Sequence, residues 1–512
     1  MMRPIIQLFG QVLAPIAYQF HQALDNPRSM QISVQREICD RLIASEYGKA
    51  LGIRSVADWQ RVPIVDYDAL APWIGDPAQH CKGKQISLTP EPILFYEKTS
   101  GSSGAVKWIP YTQSLRRSFS QMFCVWSHDL IVHGPRFSTG KLYACISPQL
   151  NASNSNSLQD DLDYLDGWLR WLLRPWLVMP EGLNHLRDPQ LFKHQLALAL
   201  LQAEKLEIIS VWSPSFLDVL LKYIQENQEL LQAELREKMS GDACGGLRLR
   251  LQLLSEDHIP WTQLWSNLKL ISCWDSANAA DQAKGLKSQF PGVLVQGKGL
   301  LATEAPMTIP LIAAQGYVPI LDQVFFEFED DIGSLHGLHE LITGKEYTII
   351  LSQKGGLYRY RIGDRIRVTH YYRQTPCLEF LGRQQAVSDL VGEKLHEAFV
   401  HDALTRINLQ GNNFKSLVPV AHPPHYVLLL DAAQQTPEII AQQLDHVLSE
   451  SYHYERARSL GQLAPPQVII YNQISEVLAL HRVRTGSIWG GIKHPILATS
   501  PMSIELLQEL KQ

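Results

Sequence analysis

The chain has 512 residues, 45% hydrophobic and 19% charged, with twelve Trp and no long low-complexity tract, which describes a folded protein with room for two to four lobes at roughly 100 to 200 residues each. A formal net charge of −5 gives no electrostatic reason to expect nucleic acid and favours a small-molecule role. The seven Cys, at 39, 81, 124, 145, 244, 273 and 377, are scattered and contain no Cys-x-x-Cys pair, so they support neither a zinc ribbon nor a disulfide framework and fit a reducing cytoplasm.

The opening "MMRPIIQLFGQVLAPIAYQF" imitates a secretory signal, but Gln7, Gly10, Gln11 and Pro15 interrupt it and the pattern continues through "MQISVQREICDRLIASEYGKALGI". It reads as an amphipathic N-terminal region. No apolar run approaches the roughly 20 residues of a membrane helix, so no membrane partner is expected. The first 75 residues are expected to be mainly helical, ending at "RVPIVDYDALAPWI", where Pro63 and Pro72 punctuate an extended segment and a short turn. From about residue 85, strand candidates "PILFYEK", "KLYACIS", "LEIISVW", "LKLISCW", "VLVQGKGLL" and "VFFEFE" alternate with amphipathic stretches, the signature of an α/β layer structure. "EYTIILSQ" and "LYRYRIGDRIRVTHYY" suit a hairpin around "KGG". After "CLEFLGRQQ" the texture changes to a smaller α+β unit, with strands "HYVLLLD" and "QVIIYNQI" around one helix candidate, "TPEIIAQQLDHVLSESYHYERARS". The expected division is 1–382 and 383–512.

"YEKTSGSSGAVKWIP" gathers Thr99, Ser100, Gly101, Ser102, Ser103 and Gly104 ahead of Lys107. It reads either as a linker or as a phosphate loop, in which glycines let backbone N–H groups converge on an anion, hydroxyls add donors and a cation stands nearby. It does not match the Walker loop, because Lys107 lacks the preceding Gly and following Ser/Thr. "GKGLLATEAP" satisfies G-x-G-x-x-A, but Pro306 and Pro310 argue against the helix that a dinucleotide site needs there. "GLYRYRIGDRIRV" reads as an amphipathic strand whose alternation breaks at Gly363-Asp364, and an Asp at such a bend can accept two hydrogen bonds from a ribose diol. "FLGRQQAVSDLVGEKLHEAFV" places Arg383, Gly392, Lys394 and Glu397 at the expected domain boundary.

These four segments, in this order, resemble the adenylate-forming superfamily. With "VPIVDYDAL", "WSPSFLDVLL", "FFEFED" and the C-terminal "GSIWGGIKHPIL", the chain resembles in particular the Gretchen Hagen family of auxin-responsive acyl-acid amido synthetases, especially its bacterial branch. The resemblance implies a large N-terminal adenylation domain, its β-sheets flanked by helices, and a small mobile α+β C-terminal domain. It implies ATP and Mg²⁺ as cofactors, and a carboxylic acid and an amino acid or related amine as substrates. An acyl-adenylate and pyrophosphate form first; the amine then displaces AMP to give an amide. An acyl-CoA or carrier-thioester ligase, and a non-catalytic binding protein retaining the fold, are the alternatives.

Carried over by position, Thr99, Ser100, Gly101, Ser102, Ser103, Gly104 and Lys107 match the phosphate motif, and Thr303 and Glu304 the metal-side motif, with Glu304 on Mg²⁺. Tyr358, Arg361 and Asp364 match the nucleotide motif, Arg383 is expected on ribose or phosphate, and Gln384 and Gln385 form the pivot. Two departures stand out. Plant members have Tyr-Ala-Ser-Ser-Glu where this chain has "LLATE", so Leu300 stands in place of an aromatic ring and adenine packing falls to aliphatic surface or to Trp274. In the tail, Ile492 replaces the usual polar residue before Lys493, a candidate for activating the carboxylate. Trp212 and Trp274, at strand ends, either line an acyl pocket or pack the core. Ser213 is expected to start a helix as N-cap, with Pro214 in its first turn.

Overall fold

A computed structural model describes residues 3–74, 88–98, 107–144, 165–178, 182–183, 186, 188–238, 244–276, 279–383, 387–407, 409, 412, 414–484 and 494–510. The N-terminal region is helical as its periodicity predicts. Helix Arg3–Ala23 buries Ile6, Phe9, Leu13, Ala17 and Phe20, spaced three and four apart along one face, and packs on helix Gln113–His133. Gly10 marks the close approach: a Cβ there would stand 3.0 Å from Ile131 Cγ2. Among the described residues, no helix is long and apolar enough to cross a membrane. Pro72 differs from the expected turn, lying inside the short helix Tyr67–Ile74. Leu70 and Ile74 pull that segment into the core, and its short length leaves few backbone bonds for a proline to remove.

Two sheets organise the large N-terminal domain. The first is parallel, with strands Lys141–Ala144, Leu206–Ser210, Leu270–Cys273 and Leu294–Gly297 side by side in chain order. Helices pack on it, and one of its cores includes Ile209, Ile271, Phe192, Phe216 and Leu220. Ser213 does precede helix Pro214–Glu226, but its hydroxyl bonds Ser215 Oγ at 2.6 Å and caps no backbone N–H. The second sheet is antiparallel, in the order Leu335–Gly337, Val324–Glu329, Glu346–Gln353, Tyr360–Tyr372 and Thr375–Arg383. The expected hairpin is present, Glu346–Gln353 pairing with Tyr360–Tyr372, and Gly356 takes φ +127°, which only glycine adopts readily.

One face of the antiparallel sheet supplies Phe326, Phe328, Ile349 and Leu351 to the largest core. On the same sheet, Arg359 reaches over the intervening strand to Glu327 (Nε–Oε2 2.9 Å, Nη2–Oε1 2.8 Å) and also donates to Val62 O at 2.8 Å. Arg361 reaches Glu329 at 2.7 Å. Residues 62–65 run along the start of strand Tyr360–Tyr372, with Arg361 N donating to Val65 O at 2.8 Å.

The separate C-terminal domain is built on strands Lys415–Val420, His425–Leu430 and Gln467–Ile470, the last parallel to the second. The single helix expected over 436–459 is two, Pro437–Leu448 and Tyr452–Ser459. The break follows from Ser449–Ser451: Ser449 Oγ turns back onto Asp445 O at 2.7 Å, and Ser451 starts the second helix. This domain touches the larger one through Lys415 Nζ–Asp281 Oδ2 at 2.7 Å and an ion pair between Lys193 and Glu476.

Candidate active site

The site begins at a bulge. Along strand Tyr360–Tyr372 the register against Glu346–Gln353 shifts between Thr348 and Ile350, where Gly363 has φ +82°. The extra residues bury Asp364, only 5% exposed, opposite Arg383 on the neighbouring strand. Arg383 Nε donates to Asp364 Oδ1 at 3.1 Å. This carboxylate is the main reason the guanidinium acidity is weakened further.

Glu304 arrives from a different direction. Leu301–Ala302 pairs with Ala305–Pro306, leaving Thr303-Glu304 as a two-residue turn, and Tyr111 Oη fixes that turn by donating to Thr303 O at 2.8 Å. Glu304 is 6% exposed. Burial raises its pKa, Arg383 and Lys107 oppose the rise and Asp364 adds to it, so Glu304 feels the charges of all three. Lys107 lies just before strand Trp108–Thr112, its Nζ 5.6 Å from the centre of the Tyr67 ring. Tyr67 is itself held by Trp108 N, which donates to its hydroxyl at 2.8 Å. Tyr360 completes the group: burial first, then the Glu304 charge, raises its phenol pKa.

Of these residues Asp364 lines a cleft with about 830 Å³ of empty space, open to solvent, together with Trp274, Asp275, Leu300, Phe380 and, from the C-terminal domain, Lys415. It opens at the carboxyl ends of strands Leu206–Ser210 and Leu270–Cys273, where ligands of open parallel sheets collect. Tight packing shapes the wall. A Cβ on Gly297 would fall 2.1 Å from both Asp275 Oδ1 and Tyr317 Oη, and Tyr317 donates a short hydrogen bond to Asp275. The glycines that imitated a dinucleotide fingerprint thus serve close packing, and a hairpin turn, not a helix, follows them. His494 also lines the cleft; burial, with Arg482 nearby, pushes its pKa down to about 3, so it is an uncharged imidazole at neutral pH.

Lys107, Glu304, Asp364 and Arg383 are therefore brought together, with Thr303 beside them in the turn. Tyr358 and Arg361 are not. Tyr358 is fully buried in the core, 6.4 Å from the Tyr47 ring and roughly parallel to it, and its hydroxyl has no hydrogen-bond partner among the described residues. Arg361 spends its guanidinium on Glu329. The tyrosine at the site is Tyr360. Arg359 between the two tyrosines has φ +45°, so strand alternation does not carry from Tyr358 to Tyr360. Thr99, Ser100, Gly101, Ser102, Ser103, Gly104, Gln384, Gln385 and Lys493 lie outside the described residues. Glu397 accepts a bond from Ile496 N at 3.2 Å, tying the hinge-side helix to the C-terminal tail. Asp275, Lys415 and His494 carry no signal in the sequence, because only tertiary folding brings them to the cleft, and Tyr67 is placed against Lys107 in the same way.

The residue set fits a divalent cation that arrives with a nucleotide. Among the described residues no three His, Cys, Asp or Glu side chains converge as a ligand cluster. A cation at Glu304 would draw its other ligands from phosphates and water, the usual arrangement for Mg²⁺.

Comparison with known proteins agrees with this architecture. Residues 16–295 match the GH3 family N-terminal domain, 317–383 the GH3 family central domain and 393–502 the GH3 family C-terminal domain. The chain is 24% identical to the probable indole-3-acetic acid-amido synthetase GH3.9 of Oryza sativa subsp. japonica, over 48% of this chain and 63% of that relative. It is 21% identical to the indole-3-acetic acid-amido synthetase GH3.3 of Arabidopsis thaliana, over 93% and 90% of the two chains. The solved structure of the GH3.15 acyl acid amido synthetase superposes with a TM-score of 0.77 at 20% identity, covering 97% of this chain and 95% of that one.

Proposed function

Because the chain belongs to the GH3 (Gretchen Hagen) family, we propose that it is an ATP-dependent ligase that adenylates a carboxylic acid and joins the acyl group to an amino acid or related amine. Pyrophosphate leaves in the first step and AMP in the second. The observation that carries this reading is the bond between Asp364 and Arg383 across two strands, with Glu304 feeling both of their charges and that of Lys107, next to a cleft that Asp364 lines on the carboxyl side of a parallel sheet.

The chemistry needs that mixture of charges. A carboxylate attacking the α-phosphate of ATP meets an anion, so the reaction depends on positive charge fixed where negative charge builds up. Lys107 and Arg383 supply it in a site that already contains two carboxylates. Asp364 holds the ribose diol through two accepted hydrogen bonds, and its bond to Arg383 aims that cation at the same nucleotide. Thr99, Ser100, Gly101, Ser102, Ser103 and Gly104 grip the β- and γ-phosphates that depart as pyrophosphate, which makes the segment an adenylation loop. Glu304 would hold Mg²⁺, whose contribution is to neutralise phosphate charge. Trp274 and Leu300 offer the adenine an apolar wall, and Lys493 supplies charge to the acid in the first step. Residues 383–512 move as a domain about Gln384 and Gln385 between the two steps. Placement in the family's bacterial branch rests on the resemblance carried by "VPIVDYDAL", "TSGSSGAVKWIP", "WSPSFLDVLL", "ATEAP", "FFEFED" and "GLYRYRIGD", and a cytoplasmic location on the scattered thiols.

The test is product analysis. Purified protein is incubated with ATP, Mg²⁺ and a panel of acids, each with an amino-acid mixture or with coenzyme A, and pyrophosphate and acyl products are measured. Acid-dependent pyrophosphate with amide product is expected. Thioester without amide would replace the acceptor half of the reading, and no acid-dependent pyrophosphate under any condition would remove it.

A further inference from the structure

A helix and a lysine seat the C-terminal domain on the larger one. Helix Ile474–Arg484 lays Ala479, 7% exposed, and Leu480 against the core that holds Phe216 and Leu220. Glu476 of that helix pairs with Lys193, and just before it Gln473 Nε2 donates to Glu226 Oε1 at 3.2 Å. Lys415, at the start of strand Lys415–Val420, reaches Asp281 on helix Ala280–Gln289, with Nζ 2.7 Å from Oδ2.

The Lys415 contact differs from the helix seat in two ways. Lys415 borders the cleft, as do its neighbour Phe414 and His494, whose ring meets the Phe414 ring edge-on at 5.3 Å. Its partner also has a second cation: Lys284 Nζ lies 3.6 Å from Asp281 Oδ1 on the same helix. The two side chains of the pair keep 20% and 37% of their exposure. Parting a fully buried pair strands a charge in the interior, at a high cost; here Lys415 moves to water and Asp281 keeps Lys284. A contact with these properties holds its two elements together and still opens reversibly.

The docked arrangement has a definite place in the reaction. Phe414, Lys415 and His494 form the side of the cleft opposed to Asp364 and Leu300 of the larger domain, and His494 directly follows Lys493, the cation proposed to act on the acid in the first step. We propose that Lys415 and Asp281 form a latch that holds the C-terminal domain in its first-step arrangement, and that release of this latch governs how often the domain turns for the second step. Both are positioning residues, acting through the domain they hold. The assignment to the first step rests on the adenylation reading; the latch itself does not. While the docked state predominates, weakening the latch raises the population of the turned state in proportion and scarcely lowers that of the docked one. The second step therefore quickens and the first hardly changes.

Ala479→Cys supplies a reporter, because position 479 is covered by the core of the larger domain. Its rate of modification by a thiol reagent, read by mass mapping, measures undocking in the absence of any substrate. Adding Asp281→Asn or Lys415→Met is expected to speed modification about fivefold, the scale of one partly exposed ion pair. The two together are expected to do no more than either alone, as for residues that act as a pair, and Lys415→Arg is expected to keep nearly the rate of the reporter chain. Without the reporter, Asp281→Asn is expected to speed amide formation from preformed acyl-adenylate about fivefold while acid-dependent exchange of pyrophosphate into ATP stays within about twofold; a general loss of structure would slow both. An unchanged modification rate in either single variant, or a second step slowed by Asp281→Asn, would overturn the proposal. The expected modification rates without acid-dependent pyrophosphate release would support the latch and count against the adenylation reading.

Discussion

Arg383 Nε lies 3.1 Å from Asp364 Oδ1 across two antiparallel strands, and Arg383 ends strand Thr375–Arg383, beyond which the chain passes toward the C-terminal domain. The nucleotide-side carboxylate is thereby bonded to the start of the segment about which that domain is proposed to turn. Replacing Asp364 by Ala should lower acid-dependent pyrophosphate release by about a hundredfold or more, since a preorganised contact to the reacting nucleotide is lost. Because Arg383 is partly exposed, the stability cost should stay near or below about 1 kcal/mol. Pyrophosphate kinetics and a thermal melt on the same sample check both parts.

Glu304 should impose an acid limb on the rate. Its folded pKa is raised by burial, so the carboxylate is lost at a higher pH than an ordinary glutamate. Adenylation should then rise with pH through a pKa above the model-peptide value of about 4.3. For stability the sign is opposite. A carboxyl whose pKa is higher folded than unfolded binds its proton more tightly in the folded state. Its contribution is complete below the unfolded pKa and is lost as pH rises through the folded one. Glu304→Gln should therefore abolish activity yet raise the melting temperature at neutral pH, a pair of outcomes that a purely structural glutamate would not give.

Arg359 and Glu327 form a buried bidentate pair within the antiparallel sheet. Removing one partner leaves an uncompensated charge in the interior, so Glu327→Ala should cost about 3–5 kcal/mol in denaturant unfolding. A loss under about 1 kcal/mol would mean that Arg359 finds another acceptor beyond Val62 O.

The thiols give a simpler check. Cys39, Cys124, Cys273 and Cys377 are buried and unpaired. Burial pushes the Cys124 and Cys273 thiols up to about 12 and the Cys377 thiol up to about 11, leaving almost no thiolate at neutral pH. Native iodoacetamide treatment followed by mass mapping should leave these four unmodified, and modification before unfolding would contradict their burial.

Much of this was legible in the sequence because the signals are local. Period-two apolar runs announced the strands, the break at Gly363-Asp364 announced the bulge, and four short motifs in order announced the family. What the sequence left hidden is long-range. Tyr358 and Tyr360 share strand parity on paper, and only the positive φ at Arg359 separates the core ring from the one at the site. Arg361 looked like a nucleotide ligand because nothing in the sequence shows that Glu329 lies across the sheet from it. The helix over 436–459 was read through because Ser449, whose hydroxyl turns back onto Asp445 O, and Ser451, at the start of the second helix, interrupt an apolar pattern that continues on both sides.

The most direct test of the central claim is pyrophosphate release by the purified chain with ATP, Mg²⁺ and each of a panel of carboxylic acids, followed by mass analysis of the product formed on adding amino acids. The account predicts pyrophosphate only when acid is present, with an N-acyl amino acid and AMP appearing together once the amine is supplied. Release of phosphate in place of pyrophosphate, or pyrophosphate release indifferent to the acid, would contradict it.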